Sequence, residues 1–417
     1  MYPTAIYYAT STNLYKKIQF RKGYGEKCRR EGIVRQSFQT KGGEKVDAAQ
    51  TVTELLEETI RSGASDLHIE PQHDHVNIRQ RVDGFLVPLR QFPKETLGAL
   101  VSRIKVMAHM DIGEKRLPQD GAMMMQDRRE RVDIRVSSMP TLHGEKLVLR
   151  LLRNRPELLS LSELGVGKDE AERLRSMLTK PGGLIVVTGP TGTGKTTTLY
   201  SMLQELNRSE RNVVTLEDPV EFQLPGINQI QMNRKAGLTF ALGLRAVLRQ
   251  DPDIIMLGEV RDRETAEIAI RAALTGHLVL TTLHTLDAAS SITRLLDMDI
   301  EPYKIASALT GVVAQRLVRL ICRYCRGVGC EKCHQTGYRR RTGAFEVLAL
   351  KEEMQPLVVE RASLAQLRNA FKKAGMRPLQ EVILEKVLTG QTTIAEYHRV
   401  VEVSNETIVE KGKTHPG

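Results

Sequence analysis

The sequence predicts an α/β protein in which a smaller α+β domain precedes a larger domain built on a parallel sheet. Three observations predict this arrangement. Segments with strand and helix periodicity alternate up to about residue 155, and a glycine-rich loop between an apolar strand and a helix follows at 189–196. The residues after 346 return to helical periodicity, so a helical C-terminal region is expected. A chain of 417 residues is also too long for one ordinary core.

Changes in composition along the chain predict its domain boundaries. The stretch "RNRPELLSLSELG" at 153–165 is polar and contains Pro156, which is typical of a linker. We therefore expect five parts: a basic N-terminal extension at 1–45, an α+β domain at 46–155, a linker at 156–165, a parallel-sheet domain at 166–403 that includes a four-cysteine element at 322–333 and C-terminal helices, and a tail at 404–417.

The composition describes a globular chain with positive charge concentrated at its start. The apolar share is 41% and the charged share 27%, and no apolar run approaches the roughly 18 residues that cross a bilayer. The start lacks a signal-peptide pattern, so a cytoplasmic protein is expected. The net charge is +11, and residues 1–45 hold ten Lys or Arg against three acids, a surplus of seven. This surplus is interpreted either as a solvated tail or as a patch for anionic lipids or nucleic acid.

The stretch "LIVVTGPTGTGKTTTLY" at 184–200 fits the phosphate-binding pattern GxxxxGK[ST], with a β-branched strand before it and a helix after it. Glycines let backbone N–H groups turn toward phosphates, Lys195 neutralises the β- and γ-phosphate oxygens, and the Thr196 hydroxyl ligates Mg²⁺. We therefore predict ATP and Mg²⁺ as ligands. The predicted nucleotide-binding residues are Gly189, Pro190, Thr191, Gly192, Thr193, Gly194, Lys195, Thr196 and Thr197.

Two later strands are expected to carry acidic residues to the same edge of the sheet, because parallel sheets bind ligands outside the carboxyl ends of their strands. Glu217 and Asp218 follow the strand at 213–216. Glu259 follows the strand in "DPDIIMLGEVRD" and Asp253 precedes it, so six residues at about 3.3 Å each separate the two acids by about 20 Å. Glu259 is therefore predicted to act at the Mg²⁺ ion or its water, and Asp253 to be structural.

The same spacing distinguishes two histidines. In "ALTGHLVLTTLHTLDA" the strand 278–283 separates His277 from His284 by about 23 Å. Only His284 reaches the carboxyl edge. His284 is therefore predicted to sense the γ-phosphate, and His277 to cap the preceding helix.

Several motifs in fixed order carry a family resemblance: "GPTGTGKTTT", "TLEDPVEF", "DPDIIMLGEVRDRETAEIAIRAALTGHLVLTTLHT" and "VVAQRLVR", preceded by "ASDLHIEP", "IGEKRLPQDGA" and "VDIRVSSMPTLHGEKLVLRLL" and followed by "GYRRRTGAFEVL". Over about residues 46–403 the chain resembles the secretion ATPases that drive type II secretion and type IV pilus assembly. The resemblance implies a hexameric ring whose subunits have an N-terminal α+β domain and a RecA-like ATPase domain. It also implies an ATP hydrolase coupled to filament assembly or protein secretion.

The resemblance implies roles for individual residues. Acids of the "EDP" box and the "GE" strand position and activate water in the family; here these are Glu217 with Asp218, and Glu259, with Glu217 favoured as the general base. Arginines of the preceding domain reach the nucleotide, which implies Arg116 of "KRLPQDG" and Arg135 of "DIRVS". Closure of that domain would then couple ATP turnover to movement. Surface ion pairs remain the alternative for both arginines.

Three positions depart from the family pattern. Leu286 replaces an asparagine, Asp299 a glycine and Ala122 an arginine, so one basic contact to the nucleotide or a neighbouring subunit is expected to be missing. None of the three removes the P-loop or the acids. An active ATPase is therefore still predicted.

The segment "CRYCRGVGCEKCHQTGY" at 322–338 holds four of the five cysteines. Paired CxxC turns in a reducing compartment favour tetrahedral Zn²⁺ over a disulfide framework or free thiols. The predicted zinc ligands are Cys322, Cys325, Cys330 and Cys333. His334 is an alternative ligand. Asp66, His68 and Glu70 share a strand face in "SDLHIE", and they are interpreted as a structural signature of the family in preference to a metal site.

In the resembling family a four-cysteine element marks assembly ATPases and is lacking in retraction motors. The chain is identified as closest to the short assembly ATPases of competence pseudopili in Gram-positive bacteria, because 45 residues are too few for the additional N-terminal domain of longer members. The implied partners are the subunits of a homo-hexamer, an inner-membrane platform protein and, indirectly, pilins or pseudopilins. The motor would lie peripherally on the inner face of the cytoplasmic membrane. A retraction motor, a DNA-translocating ATPase and an inactive scaffold remain alternatives, and no direct sequence-specific contact with nucleic acid is expected.

Overall fold

The structure, a computed structural model, describes residues 47–127, 130–153 and 160–409. The predicted basic extension, most of the tail and part of the predicted linker lie outside these residues. The described chain forms one sheet of six strands and one of seven. This mixed α/β architecture, with clustered cysteines and helices near the C-terminal end, confirms the predicted fold class.

The first domain is an antiparallel sheet with two helices. Its elements are α1 (Ala48–Ser62), β1 (Asp66–Pro71), β2 (His75–Val82), β3 (Phe85–Pro93), α2 (Leu97–Met107), β4 (Gln119–Asp127), β5 (Glu130–Thr141) and β6 (Gly144–Arg153). The strand order is β3-β2-β1-β6-β5-β4. The side chain of Asp47 caps the start of α1, which ends at Gly63 with a left-handed φ of 74°. The apolar faces of α1 and α2 pack with those of the strands in one core.

The second domain is built on the seven-stranded sheet. Its elements are α3 (Lys168–Leu178), β7 (Gly183–Thr188), α4 (Lys195–Leu206), β8 (Val213–Glu217), β9 (Asn228–Gln231), α5 (Phe240–Val247), β10 (Ile254–Leu257), α6 (Arg263–Leu274), β11 (Leu278–Leu283), α7 (Ala288–Asp297), α8 (Pro302–Ala308), β12 (Leu309–Ile321) and β13 (Tyr338–Ala349). The order is β13-β12-β7-β11-β10-β8-β9. All neighbouring strands are parallel except β13, which runs antiparallel to β12.

The strands at the centre of this sheet are covered on both faces. Every residue of β7, β8, β10 and β11 is buried, because two separate apolar clusters lie on opposite faces of the sheet. Strands covered on both faces read as continuous apolar runs, which is the pattern the sequence shows. Leu257 pairs with both Leu216 and Thr281, and Thr188 pairs with Leu283, so the carboxyl ends of four strands meet at one edge.

A helical region completes the described chain. Its helices are α9 (Gln355–Val359), α10 (Leu364–Lys373), α11 (Leu379–Leu388) and α12 (Ile394–Val409). Ser363 and Gln366 form a capping box at the start of α10. Ile383 of α11 and Val400 of α12 pack in one cluster with apolar residues of β12 and β13. No helix in the described part of the chain is long and apolar enough to cross a membrane.

Candidate nucleotide and zinc sites

The P-loop connects the end of β7 to the start of α4. Gly189 has a φ of 153°, and a Cβ atom there would lie 2.6 Å from the carbonyl oxygen of Gln315. Gly194, with a φ of 88°, directly precedes α4. Only glycine tolerates these conformations and close approaches, so the loop can wrap tightly with its N–H groups turned toward one ligand.

Lys195 extends back across the loop. Its Nζ donates to the carbonyl oxygens of Gly189 at 2.8 Å and Pro190 at 3.1 Å. Burial lowers the pKa of Lys195 to about 8; the carboxylate of Glu259 opposes this shift and the guanidinium of Arg316 adds to it. A bound phosphate would raise the pKa of Lys195 back toward its ordinary value, so this cradle fits an anionic ligand.

The remaining predicted nucleotide-binding residues differ in exposure. Thr191, Gly192, Thr196 and Thr197 are exposed, and the Thr193 hydroxyl is turned inward to the carbonyl of Pro190 at 2.9 Å. The exposed Thr196 hydroxyl lies in the first turn of α4, where it is free of burial and available to a Mg²⁺ ion held against the phosphates.

Glu259 and His284 follow adjacent strands and meet at the carboxyl edge. Glu259 Oε2 lies 2.7 Å from Arg261 Nε and 3.5 Å from His284 Nε2. Burial first and then the charge of Lys195 lower the pKa of His284, and Glu259 partly opposes them. The imidazole is therefore neutral at pH 7. The structure thus places Lys195, Glu259 and His284 in one electrostatically coupled group.

Two residues that the strand spacing assigned to the opposite edge are indeed found there. Asp253 Oδ2 accepts a hydrogen bond from Asn212 N at 2.7 Å. The ring Nδ1 of His277 lies 3.0 Å from the carbonyl oxygen of Ala272, at the end of α6. The first contact joins the residues that precede β8 and β10, and the second lies in the turn that leads into β11.

Glu217 is enclosed by hydrogen-bond donors from its own domain. It is 3% exposed, Oε2 accepts from the hydroxyl of Tyr200, and Oε1 accepts from Thr215 Oγ1 at 2.6 Å and Gln229 Nε2 at 3.1 Å. Burial and this contact with Glu217 raise the pKa of Tyr200. Both oxygens of Glu217 are thus occupied inside the protein, whereas the Glu259 side chain is 15% exposed. The assignment of Glu217 as the general base stays a prediction.

The other predicted catalytic residues lie on the surface. Asp218 is exposed and pairs with Arg234 at 3.0 Å. Arg116 has an 88% exposed side chain and pairs with Glu114, and Arg135 is exposed on β5. Within the described residues, no hydrogen bond or ion pair connects Arg116 or Arg135 to the P-loop. Their reach to a nucleotide therefore stays a prediction that depends on domain movement.

Sequence reasoning missed two residues of β12 that support the P-loop from behind. Gln315 Oε1 accepts from Thr198 Oγ1 of α4 at 2.7 Å. Arg316 is buried and donates to the carbonyl oxygens of Gln315 at 2.9 Å and Leu286 at 2.8 Å, and burial lowers its pKa. The available signal was a polar Gln-Arg pair inside the apolar run "VVAQRLV".

The four cysteines converge between the end of β12 and the start of β13. Their sulfur atoms all lie within 4.8 Å of one another. The distances are 3.9 Å for Cys322–Cys330, 3.7 Å for Cys325–Cys333 and 3.6 Å for Cys330–Cys333. Tetrahedral Zn²⁺ with Zn–S bonds of about 2.3 Å sets sulfur atoms about 3.8 Å apart, so the arrangement fits the metal.

Two further candidates for metal binding do not join this cluster. His334 is outside the ligand group formed by the cysteines. Asp66 Oδ1 lies 2.9 Å from Arg150 Nε, and Glu70 Oε2 lies 2.7 Å from Arg79 Nε. Guanidinium groups thus occupy these carboxylates. His68 Nδ1 lies 3.6 Å from Glu70 Oε1, but within the described residues these side chains do not form a group of three possible metal ligands.

Comparison with known proteins gives consistent matches across both domains. The family model described as a type II/IV secretion system protein matches residues 44–399. The type II secretion system protein HxcR of Pseudomonas aeruginosa is 50% identical over 357 residues, 84% of this chain and 76% of that protein. The type IV pilus assembly ATPase PilB of Thermus thermophilus is 43% identical over 376 residues, 84% of this chain and 42% of that protein. A crystal structure of the pilus retraction motor PilT with bound ADP has a TM-score of 0.60 at 28% identity, covering 83% of this chain and 96% of that one.

Proposed function

Because the chain belongs to the type II/IV secretion ATPase family, we propose that it is a motor that hydrolyses ATP to drive assembly of a type II secretion pseudopilus or a type IV pilus-like filament. The observation that carries this proposal is the meeting of Lys195, Glu259 and His284 at the carboxyl edge beside the P-loop. A site of this kind joins a phosphate cradle to a carboxylate that can orient water.

The nucleotide is proposed to bind along the P-loop. Backbone N–H groups of 189–194 hold the phosphates, Lys195 neutralises their charge, and the Thr196 hydroxyl contributes a ligand to Mg²⁺. The bound Mg²⁺ would supply charge stabilisation at the β- and γ-phosphate oxygens. Glu259, held by Arg261 on one side and near His284 on the other, is the carboxylate placed to orient the attacking water.

His284 is proposed to report the γ-phosphate to the rest of the domain. Its neutral imidazole can donate one hydrogen bond, and the next residue, Thr285, is bonded to Thr188 at the end of β7 through hydroxyls 2.7 Å apart. A change at the phosphate would therefore reach the loop after β11 directly.

Arg116 and Arg135 are proposed to approach the nucleotide when the six-stranded domain closes. Both are exposed cations on that domain. Cations supplied by a second body make hydrolysis depend on its position, which suits a ring of six subunits that converts turnover into movement. We propose that the ring binds an inner-membrane platform protein at the cytoplasmic face and that it moves pilins or pseudopilins indirectly.

Assembly is favoured over retraction by the cysteine cluster and by similarity. Identity is 50% to a type II secretion protein and 43% to a pilus assembly ATPase, against 28% to the retraction motor. The higher identity to the type II secretion protein than to the pilus assembly ATPase favours a secretion pseudopilus over a type IV pilus. The predicted competence subtype has no comparable support and stays a prediction.

The proposal is tested by steady-state ATP hydrolysis with and without DNA, using the purified chain of 417 residues. We expect Mg²⁺-dependent turnover that DNA does not change and that Lys195→Ala abolishes. Lys235→Ala, which removes an exposed lysine outside the P-loop, is the matched control. Strong stimulation by DNA would favour the translocase alternative, and turnover unaffected by Lys195→Ala would exclude the proposed site.

A further inference from the structure

One buried carboxylate, that of Glu346, has no role in the proposed binding or hydrolysis of the nucleotide. Glu346 lies on β13 and is 4% exposed. Its Oε1 accepts from the backbone N–H of Ala288 at 2.8 Å, and its Oε2 accepts from that of Leu379 at 3.1 Å. Ala288 and Leu379 are the first residues of α7 and α11. One side chain therefore caps two helices from different parts of the chain.

The first of these helices begins where the His284 loop ends. We define that loop as residues 284–288. On its inner side, the backbone N–H of Thr285 donates to Thr188 Oγ1 at 3.0 Å, and the carbonyl oxygen of Leu286 accepts from Arg316 at 2.8 Å. Arg316 also approaches the P-loop, because its Nη1 lies 3.4 Å from the place that a Cβ atom on Gly189 would occupy. This guanidinium therefore connects the His284 loop to the back of the P-loop.

The outer side of the His284 loop is held by the C-terminal helices. Asp287 Oδ2 lies 2.8 Å from Nε and 2.6 Å from Nη2 of Arg368, which belongs to α10. Ala288 N is bound by Glu346, whose other oxygen holds the start of α11. Two independent contacts thus fix the loop to two consecutive C-terminal helices.

We propose that Glu346 and Arg368 are positioning residues that couple the C-terminal helices α10 and α11 to the His284 loop, so that the placement of these helices sets the rate of ATP turnover. The coupling runs through hydrogen bonds to Asp287 and Ala288, and neither positioning residue touches the nucleotide. The proposal rests on the proposed ATPase activity. Any binding event that moves α10 or α11 would then change the rate of ATP turnover.

The carboxylate is needed because it presents two acceptors. In Glu346→Gln the amide keeps one acceptor oxygen and turns an NH₂ donor toward the second backbone N–H, so one helix start loses its partner. Burial raises the pKa of Glu346 to about 7, and the nearby Asp287 adds to this, whereas the two N–H groups and Arg368 oppose it. The charge of Arg316 also faces this carboxylate. Protonation near pH 7 would weaken the same contacts that the glutamine variant removes.

The test compares kcat and KM for ATP in Glu346→Gln, Arg368→Ala and the control Lys372→Ala. Lys372 lies on α10 and pairs with Glu381 at 2.6 Å, and among the described residues no hydrogen bond or ion pair joins it to the His284 loop. We expect kcat to fall about tenfold in Glu346→Gln and about threefold in Arg368→Ala, with KM changed less than twofold, because a displaced loop slows the chemical step and leaves the cradle intact. Lys372→Ala is expected to keep wild-type values.

The pH profile separates positioning from general damage. Wild-type kcat is expected to decline below about pH 7 as Glu346 takes up a proton, and Glu346→Gln is expected to lack that decline. Arg368 is 43% exposed, so Arg368→Ala tests the coupling even if the buried variant does not fold. Equal kcat in Arg368→Ala and Lys372→Ala would overturn the proposal. Turnover that survives Lys195→Ala would instead contradict the proposed function itself.

Discussion

Glu259 and His284 face each other across neighbouring strand ends, with Oε2 of the glutamate 3.5 Å from Nε2 of the histidine. Arg261 Nε lies 2.7 Å from the same oxygen, so this ion pair fixes the Glu259 carboxylate at the strand end. Its side chain is 15% exposed, which leaves one oxygen able to meet water. This relationship makes Glu259 the residue on which hydrolysis is expected to depend.

Glu259→Gln is expected to lower kcat at least about a hundredfold while ATP still binds, because the amide keeps the shape but loses the charge that orients water. ATP affinity measured by calorimetry and turnover measured by phosphate release check this. Glu264→Gln is the control, since Glu264 is an exposed partner of Arg245 at 2.5 Å. Turnover retained within threefold in Glu259→Gln would contradict the assignment.

Glu217→Gln is expected to act on stability in addition to any effect on rate. The carboxylate accepts from Tyr200, Thr215 and Gln229, and an amide would place a donor against one of these donors. Leaving a buried polar group unsatisfied costs about 1–3 kcal/mol, which chemical denaturation can measure. Tyr200→Phe removes one donor and is the matched comparison. A Glu217→Gln variant with wild-type stability and no turnover would restore Glu217 as the general base.

The contrast between these two acids marks what sequence can predict. Strand ends are visible in the pattern of apolar residues, so the spacing correctly placed Glu259 and His284 at one edge and Asp253 and His277 at the other. The donors around Glu217 come from a helix, from the neighbouring strand β9 and from β8 itself. Side-chain pairing of that kind has no periodicity, and the sequence pattern therefore did not show that Glu217 is enclosed while Glu259 is partly exposed.

The relative placement of the two domains is a second feature that the sequence could not predict. The sequence predicted a linker near Pro156 and roles for Arg116 and Arg135, but a polar segment does not specify the orientation of the bodies it joins. By contrast, the helical C-terminal region was predicted from its own periodicity. The contact of α10 with the His284 loop through Arg368 and Asp287 was not, because it joins residues 81 positions apart.

Nucleotide affinity is expected to depend on pH through Lys195. Its pKa of about 8 in the free protein lies below the ordinary value of 10.5, so the lysine is charged below pH 8 and loses its proton above it. Binding a phosphate then requires proton uptake, and the dissociation constant for ADP should rise up to tenfold per pH unit between about 8 and 10. Calorimetry across this range measures it. A flat profile that matches Lys195→Arg, which stays charged, would contradict the lowered pKa.

The stability of the free protein is expected to depend on pH in the opposite direction to its nucleotide affinity. The unfolded lysine holds its proton up to about pH 10.5, whereas the folded one releases it near 8, so the unfolded state binds more protons between these values. The free energy of unfolding of the free protein should therefore gain from this group as pH rises from 8 to 10.5. Lys195→Met should lack that gain when denaturation is followed at pH 7.5 and 9.5, and an equal gain in the variant would assign it to other groups.

Zinc is expected to be structural and remote from hydrolysis. The four sulfur atoms already stand at distances that suit one tetrahedral ion, and N–H groups of Gly329 and Cys330 lie 3.2 Å from Cys325 Sγ and Cys333 Sγ, where they would stabilise thiolates. Metal analysis of purified protein should give about one zinc per chain.

Cys325→Ser should lose the metal and melt at lower temperature, whereas Cys28→Ser, outside the cluster, should keep both the zinc and the wild-type melting temperature. ADP binding by the metal-free variant at low temperature should match wild type, because β12 runs six residues, about 20 Å, from Arg316 behind the P-loop to Cys322. Zinc content far below one per chain, or equal melting of the two serine variants, would show that the cluster holds free thiols.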